Sequence, residues 1–366
     1  MGMSGIEDYR KASLATVRSA MEERELAGFI ITDLSTIRWL TGFSGSSARV
    51  LVTPTVCRLF TDFRYAEQAR GEVAVAETVV VSESVASELA SGRHPLRGLE
   101  PVALQSDSIG WLEATRFIDT LSGCCRLQPV AGFFNDFRMV KNPFELSLMQ
   151  DAADISGKVL DAVVPMLSER VSECDIATEI SCLHRKHGGE KDSFDPIVAG
   201  GVRSAMPHAH PTGERFREGM LVVIDMGCMA GGYASDQTRT IGLGRVPDEA
   251  RRVYEIVREA QELGIRSARC GMKARELDAV VRSFIAGHGY GEAFGHGLGH
   301  GIGLEVHEEP RISLKGEAVL REGMVFTIEP GIYLEGRFGV RIEDTVVMEA
   351  DGARPLQRFT KELIEL

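Results

Sequence analysis

The stretch Leu221-Val222-Val223-Ile224-Asp225-Met226-Gly227 carries a carboxylate inside an apolar, strand-like run. A carboxylate buried alone in such a run would be costly, so Asp225 needs a cation or a hydrogen-bond donor as its partner. The segment therefore predicts a buried strand that presents a functional side chain.

Four more potential metal ligands in apolar or glycine-rich surroundings follow along the chain. They are Asp236, His300, Glu329 and Glu343. Carboxylates and imidazole suit hard or borderline divalent ions such as Mn²⁺, Co²⁺ or Zn²⁺, whereas thiolates select softer metals. No cysteine belongs to the set. The pattern therefore predicts a site for two divalent metal ions.

The spacing of these ligands indicates how they meet. Asp225 and Asp236 flank the loop at residues 229–232. If the two runs pair as a hairpin about that loop, the two aspartates lie directly opposite one another. Opposed residues of an antiparallel pair have Cβ atoms roughly 5 Å apart, which is close enough to share metal ions.

Glu329 and Glu343 show the same kind of spacing, since the strand-like runs 326–329 and 340–343 are related about Gly336. Each of the two hairpins would then offer a pair of carboxylates. Two ions about 3.5–4 Å apart, bridged by carboxylates and by a hydroxide, are the standard apparatus for attacking an amide or an ester. The pattern predicts hydrolysis.

The glycine-rich segment at residues 295–308 lies between the hairpins and contains His296, His300 and His307. Alternating glycines allow a backbone or a substrate to approach closely, so the three histidines can converge on one cavity. A single histidine on an apolar strand is more often a hydrogen-bonded core residue. Three within twelve residues, beside four buried carboxylates, favour a site.

Five blocks of sequence carry a resemblance to a known family: residues 204–209 (SAMPHA), 232–240 (GYASDQTRT), 299–308 (GHGIGLEVHE), 329–333 (EPGIY) and 339–344 (GVRIED). They resemble the pita-bread metallopeptidases, and within them the proline-specific branch of Xaa-Pro aminopeptidase (aminopeptidase P) and Xaa-Pro dipeptidase (prolidase). Residues 142–145 (NPFE) resemble the family's interdomain helix start, and residues 39–45 (WLTGFSG) its N-terminal domain. Methionine aminopeptidases share the five ligands but lack a creatinase-like N-terminal domain of this size.

This resemblance implies a role for each of the five ligands. Asp225 would chelate one metal, and Asp236 and Glu343 would bridge both. His300 and Glu329 would complete the other metal. The ions would be Mn²⁺, with Co²⁺ or Zn²⁺ as alternatives.

The same resemblance assigns His208, His296 and His307 to substrate binding and to stabilising the tetrahedral intermediate. Glu329 would also carry the proton to the departing imino nitrogen. Arg341 lies two residues before Glu343 on a strand and so shares its face, where it would hold a bridging carboxylate in place.

Length and periodicity predict two domains, since 366 residues are many for a single core. Residues 1–137 alternate helical stretches with short strand-like runs, as expected for a small α/β domain, creatinase-like by resemblance. Residues 138–366 would form the pita-bread catalytic domain. Asn142 there caps a helix with Pro143 at its first position and Glu145 three residues after the cap.

Helical patterns in the second domain run from residue 142 to about 166, from 175 to 186, from 247 to 269 and from 273 to 286. The ligand-bearing strands come between and after them. Helices would then cover one side of an antiparallel sheet and the site would lie on the other, which is α+β layering.

Composition excludes several other classes of function. A net charge of −12 argues against a nucleic-acid partner, because phosphate binding needs a basic field. No apolar run reaches the 18 residues of a membrane span, and we expect no secretion signal at the first residues. Seven cysteines, an odd number without metal or redox spacing, favour the cytoplasm.

The predicted substrates are short proline-containing peptides, and the resemblance implies a homodimer. Arg311 would meet the free carboxylate of a dipeptide, which favours Xaa-Pro dipeptidase; if Arg311 instead pairs with Glu308 or Glu309 at the surface, aminopeptidase P is the alternative. Less favoured are a creatinase-like hydrolase, a lyase or a binding module on the same scaffold, since such relatives lose ligands and this chain keeps all five.

Overall fold

The computed structural model describes residues 3–366, with side chains from Ile6 onward. The chain divides into two compact units, Met1–Asp136 and Phe137–Leu366. Among the described residues, no helix is long and apolar enough to cross a membrane.

The helices fall in both units. They are α1 Met3–Glu23, α2 Leu34–Thr41, α3 Ala66–Glu72, α4 Val85–Ala90, α5 Trp111–Leu121, α6 Asn135–Met139, α7 Pro143–Val163, α8 Glu173–Lys186, α9 Asp248–Ser267 and α10 Ala274–Gly287. Short 3₁₀ helices cover Phe63–Tyr65, Val164–Met166, Gly201–Ala205 and Gly291–Ala293.

The strands of the first unit are β1 Gly28–Ile31, β2 Arg49–Val52, β3 Cys57–Asp62, β4 Glu77–Val81, β5 Val102–Gln105 and β6 Leu127–Val130. The strands of the second unit are β7 Lys191–Asp192, β8 Ile197–Gly200, β9 Leu221–Met226, β10 Cys228–Ala230, β11 Tyr233–Ala234, β12 Gln237–Gly242, β13 Gly299–Gly301, β14 Glu308–Ile312, β15 Val325–Ile328, β16 Gly331–Leu334, β17 Phe338–Arg341, β18 Asp344–Glu349 and β19 Gly352–Pro355.

The first unit is built on one mixed sheet in the order β4-β3-β2-β1-β5-β6. β1 is parallel to β5 and antiparallel to β2, and all four of its residues are buried. Leu89 on α4 and Phe117 on α5 pack into the same core as Ile30 of β1. Helices packed against this mixed sheet form the small α/β domain that the sequence predicts for this part of the chain.

The second unit contains four short sheets, where the sequence pattern predicts one. Their orders are β11-β10-β7, β12-β9-β8, β14-β13-β15-β18-β19 and β16-β17, and each strand pair in them is antiparallel. The expectation of a single sheet was wrong because both ligand-bearing hairpins change sheets: the β9-β12 ladder continues as β10-β11, and the β15-β18 ladder as β16-β17. The α+β class stands.

Two hydrophobic cores hold the second unit together, and each joins a helix pair to its own sheet. α7 and α8 share one core with the alternate residues Val222, Ile224 and Met226 of β9. α9 and α10 share the other with Phe326 and Ile328 of β15. Because side chains alternate along a strand, the residues between these core positions point to the opposite face.

The start of α7 follows the local rules. The Asn142 side chain accepts hydrogen bonds from the backbone N–H groups of Phe144 and Glu145, and the Glu145 carboxylate accepts one from the backbone N–H of Asn142. The predicted cap at Asn142 is confirmed. α8 begins at Glu173, two residues earlier than predicted, because Ser172 and Asp175 form a second capping box around its first turn.

Candidate active site

The first hairpin carries Asp225 and Asp236, but the two are not opposite one another. Asp225 of β9 faces Thr238 of β12, so the predicted pairing was wrong by two residues. The reason is the turn: it contains two residues, Gly231 and Gly232, both with positive φ, rather than the four-residue loop assumed. Turn length fixes register, and a shift of two residues keeps both aspartates on one face.

The second hairpin carries Glu329 and Glu343 at the point where its strands change sheets. On one side β15 pairs with β18 so that Ile328 faces Asp344. On the other side β16 pairs with β17 so that Gly331 faces Arg341. The register is the same on both sides, which places Glu329 across from Glu343, as the spacing about Gly336 predicts.

His300 lies on the short strand β13 between two glycines that the packing requires. A Cβ atom at Gly299 would lie 2.0 Å from the Thr327 carbonyl oxygen, and one at Gly301 would lie 2.1 Å from the Glu309 carbonyl oxygen. The His300 Nδ1 atom is 3.1 Å from the Gly301 carbonyl oxygen. Because that oxygen can only accept, Nδ1 carries the proton and Nε2 presents its lone pair.

These side chains meet in one place. Asp236, His300 and Glu343 each offer a ligand atom, and the three atoms lie within 4.8 Å of one another. His300 Nε2 is 3.6 Å from Asp236 Oδ2 and 3.4 Å from Glu329 Oε1. Fold segments that are far apart in sequence thus converge on one cluster of oxygen and nitrogen donors.

The cluster fits a metal centre. Among the described residues, Asp225 Oδ1, Asp236 Oδ1 and Glu343 Oε1 are buried without a hydrogen-bond partner. Buried carboxylate oxygens ordinarily have a partner, so three in one cluster point to a ligand that completes it. Carboxylate oxygens with one imidazole nitrogen are the donors that hard or borderline divalent ions accept.

Burial sets the protonation of the cluster in the metal-free protein. Burial, and then repulsion from Glu343, raises the pKa of Asp236 well above its ordinary value. Burial and the neighbouring Glu329 do the same to the pKa of Glu343. Burial raises the pKa of Glu329 to about 7, although Arg341 opposes the change. A bound cation would reverse these shifts, because it favours the ionised carboxylates.

Arg341 orients two of the carboxylates, Asp225 and Glu343, through hydrogen bonds. Its buried guanidinium donates from Nη2 to Asp225 Oδ2 at 2.5 Å and from Nε to Thr238 Oγ1 at 3.1 Å. The Thr238 hydroxyl then donates to Glu343 Oε2 at 2.6 Å. Arg341 therefore holds Asp225 directly and Glu343 through Thr238, a residue that the sequence analysis did not single out.

His296 has both ring nitrogens engaged. Nδ1 is 2.8 Å from the Gly297 carbonyl oxygen, so it carries the proton, and Nε2 accepts the hydroxyl of Tyr333 at 3.0 Å. Burial lowers the pKa of His296 to about 4, which keeps the ring neutral. Tyr333 in turn accepts from Arg341 Nη1 at 3.0 Å. In this arrangement His296 has no donor left for a substrate.

One cavity of about 420 Å³ gathers the predicted residues. Its lining includes the five ligands Asp225, Asp236, His300, Glu329 and Glu343, together with Arg341, His208, His296 and His307. The His307 ring lies 4.2 Å from the ring of His300, and burial lowers its pKa, so it is a neutral hydrogen-bond donor.

Arg311 is placed differently. It faces His300 across β13 and β14, but it is absent from the described residues that line the cavity. Its side chain is 80% exposed, with Nε 3.8 Å from Glu309 Oε1. The structure therefore sets Arg311 at the surface, one strand away from the cavity.

Sequence reasoning missed several residues of the cavity. Phe194 and Val306 add apolar lining, and His210 adds another imidazole near His208. Tyr333 lies in the block 329–333 but received no role. A signal was present for His210, which lies two residues after His208; for Phe194 no pattern near the ligands distinguished it from a core residue.

Comparison with known proteins agrees with this geometry. Residues 147–350 match metallopeptidase family M24, and residues 14–140 match the Creatinase/Prolidase N-terminal domain. An Xaa-Pro dipeptidase of Pyrococcus horikoshii is 38% identical over 74% of this chain and 76% of its own. The structure of an Xaa-Pro dipeptidase from Bacillus anthracis superposes with a TM-score of 0.94 at 34% identity, covering 98% of this chain and 100% of that one.

An X-Pro aminopeptidase from Thermotoga maritima is also similar, with a TM-score of 0.88 at 34% identity, covering 95% of this chain and 100% of that one. The chain belongs to metallopeptidase family M24, in its proline-specific pita-bread branch, with a creatinase-type domain before the catalytic domain. The family depends on two divalent metal ions, and the described residues form a site that can hold a metal.

Proposed function

We propose that this metallopeptidase hydrolyses the Xaa-Pro bond of short peptides and acts as an Xaa-Pro dipeptidase. The observation that carries the proposal is the cavity, in which four carboxylates and His300 converge and three of the carboxylates each have one buried oxygen without a hydrogen-bond partner. The similarity to the dipeptidases of P. horikoshii and B. anthracis supports the choice of substrate.

The five residues of the cluster would hold the metals. Asp225 would bind one ion, Asp236 and Glu343 would bridge two, and His300 and Glu329 would complete the second. When bound, the ions would polarise the scissile carbonyl and activate the attacking water. Mn²⁺ is the proposed ion, with Co²⁺ and Zn²⁺ accepted by the same donors; elemental analysis of purified protein tests this.

Histidine and glutamate side chains of the cavity would stabilise the intermediate and transfer the proton. Neutral His307, with His208, would donate to the oxygen of the tetrahedral intermediate. The Glu329 carboxylate would take up a proton and deliver it to the departing imino nitrogen of proline. His296, expected to stabilise the intermediate, is better placed to orient Tyr333, because its Nε2 accepts the Tyr333 hydroxyl.

Selection for proline follows from the chemistry of the bond. An Xaa-Pro bond is a tertiary amide without an N–H group. Proteases that bind an extended backbone through a ladder of hydrogen bonds lose a donor at that position. A cavity of about 420 Å³ would instead accept the pyrrolidine ring together with one preceding residue, whose free amino end would lie near the metals.

His307→Ala should lower kcat by roughly 10²-fold, the scale for one oxyanion donor, with metal content unchanged. The reason is that His307 lines the cavity and is expected to donate to the intermediate while binding no metal. Steady-state kinetics on Ala-Pro, with metal analysis of the same samples, measures both quantities. His288→Ala, which replaces an exposed histidine on the surface, is the control. Loss of metal together with activity would place His307 among the ligands.

Aminopeptidase P is the second candidate, since Arg311 is exposed outside the cavity and the T. maritima aminopeptidase is 34% identical. If Arg311 binds the carboxylate of a dipeptide, kcat/KM should be higher on Ala-Pro than on Ala-Pro-Ala. Arg311→Ala should then lower kcat/KM on Ala-Pro by about 10-fold or more, because a charge-assisted hydrogen bond is lost. A better tripeptide substrate, with Ala-Pro cleavage unaffected by Arg311→Ala, would identify an aminopeptidase.

We also propose the domain limits 1–137 and 138–366, a homodimer and a cytoplasmic location. The seven cysteines all lie within the described residues and are free thiols, which supports a reducing compartment. Light scattering of the purified protein would test the dimer.

A further inference from the structure

An exposed loop brings two histidines to the cavity. We call residues 203–212 the histidine loop; it comprises the last three residues of the 3₁₀ helix Gly201–Ala205 and the seven residues that follow it. His208 and His210 both line the cavity, yet both are exposed, as is Met206 between them and the helix. Ser204 and Ala209 of the loop are buried, but packing of these two small residues does not fix the exposed imidazoles, so the hydrogen bonds that anchor the loop matter.

Glu173, the first residue of α8, is the outer anchor. Its side chain is 2% exposed and lies outside the cavity. Oε1 accepts from the backbone N–H of Gly200 at 2.9 Å, just before the loop. Oε2 accepts from the backbone N–H and the hydroxyl of Thr212, at 2.9 and 2.8 Å, at the end of the loop. One buried carboxylate therefore ties both ends together.

Arg203 extends this anchor into the loop. Its Nε lies 3.1 and 3.0 Å from the two carboxylate oxygens of Glu173. Its Nη2 donates to the carbonyl oxygen of His210 at 2.5 Å. The ion pair thus reaches the backbone of a residue whose side chain lines the cavity.

The inner anchor comes from the active site. Arg341, which holds Asp225, also donates from Nη1 to the Pro207 carbonyl oxygen at 3.1 Å. Pro207 immediately precedes His208. The histidine loop is therefore held on its cavity side by Arg341, which also orients the proposed metal ligand Asp225. Outside the cavity it is held by Glu173 and Arg203.

We propose that Glu173 and Arg203 form a clamp that positions His208 and His210 over the cavity, and that this clamp sets the efficiency of peptide hydrolysis without contacting the peptide or the metals. Glu173 is thus a positioning residue. Its role in turnover rests on the proposed function, whereas its control of the loop does not.

The test uses Mn²⁺-loaded protein and the change Glu173→Gln, which puts an amide among donors that need an acceptor. Hydrogen exchange followed by mass spectrometry should show faster exchange across residues 203–212 and unchanged exchange in α9 and α10. Glu214→Gln is the matched control, since it makes the same chemical change on an exposed side chain close to the loop. It should leave exchange unchanged. Metal content should be the same in all three proteins.

Kinetics on the better of Ala-Pro and Ala-Pro-Ala then separate positioning from general stability. Glu173→Gln should lower kcat/KM by about 10-fold or more, since small displacements of a distant support can cost up to about 10²-fold. Because the clamp positions His208 and His210, the same change made in a protein that already carries His208→Ala and His210→Ala should cost less than about 2-fold. A merely structural residue would give losses that multiply in the combined variant.

Arg203→Gln provides a second variant should Glu173→Gln fail to fold, because Arg203 is 19% exposed and leaves Glu173 with its three other donors. It should speed exchange in the loop and lower kcat/KM in the same direction. Unchanged exchange in the loop, or losses that multiply with those of the His208→Ala, His210→Ala protein, would overturn the clamp. A wild-type protein that cleaves neither peptide would overturn the proposed function, and the exchange data would still decide the clamp.

Discussion

Replacing Asp236 by Asn should abolish peptide hydrolysis while leaving the fold intact. Asp236 is buried between Glu343 and His300, and its Oδ1 has no protein partner, so it is expected to bridge both metals. Neutralising a bridging ligand should cost more than the roughly 10–100-fold typical of residues that only support ligands. Hydrolysis of Ala-Pro and metal content by elemental analysis measure the effect.

Asp351→Asn is the control for this change, because Asp351 is an exposed aspartate in the turn between β18 and β19. It should leave both turnover and metal content unchanged. Circular dichroism should show the same secondary structure for both variants. Wild-type turnover in the Asp236→Asn protein, or full activity after chelation, would rule out the two-metal mechanism.

Removing the metals should make the stability of the protein fall as pH rises. In the metal-free fold Glu329 has a pKa of about 7 against an ordinary value of 4.5. Between these values the folded protein binds more protons than the unfolded chain, so the free energy of unfolding decreases with pH. The contribution of Glu329 to the free energy of unfolding is on the order of 3 kcal/mol. It is fully present below about pH 4.5 and is lost by about pH 7.

The pKa values of Asp236 and Glu343 are raised in the same direction and strengthen this trend. Mn²⁺ should reverse it, because a bound cation keeps the carboxylates ionised and metal binding improves as protons leave. Thermal unfolding between pH 4.5 and pH 8, with EDTA and with Mn²⁺, measures both slopes. Parallel slopes in the two conditions would show that these carboxylates do not share a metal.

Much of the chemistry was readable from short stretches of sequence. The carboxylates at 225, 236, 329 and 343 stood out because each interrupts an apolar or strand-like run, and His300 because glycines flank it. The structure brings all five into one cavity. The cap at Asn142 was readable for the same reason, since its hydrogen bonds join residues three or fewer positions apart.

The pairing register of the first ligand-bearing hairpin was harder to predict from the sequence. Asp225 faces Thr238 rather than Asp236 because Gly231 and Gly232 alone form the turn. The sequence contains four candidate turn residues there, and the neighbouring residues do not show how many of the four pair as strand and how many form the turn. The symmetric spacing about Gly336 gave the right register for Glu329 and Glu343, since that turn offered a single centre.

Short stretches of sequence are enough to identify the residue types that carry the chemistry, because a buried carboxylate, a glycine-flanked histidine or a helix cap is recognisable from a few neighbouring positions. The partners of these residues depend on how the whole chain packs. Thr238 donates a hydrogen bond to Glu343, and Tyr333 donates one to His296. Glu173 accepts hydrogen bonds from both Gly200 and Thr212. The Arg311 side chain lies at the surface, outside the cavity. Such contacts join positions as many as 105 residues apart, and hydrogen bonds depend on distances of a few tenths of an ångström that only the packed chain defines.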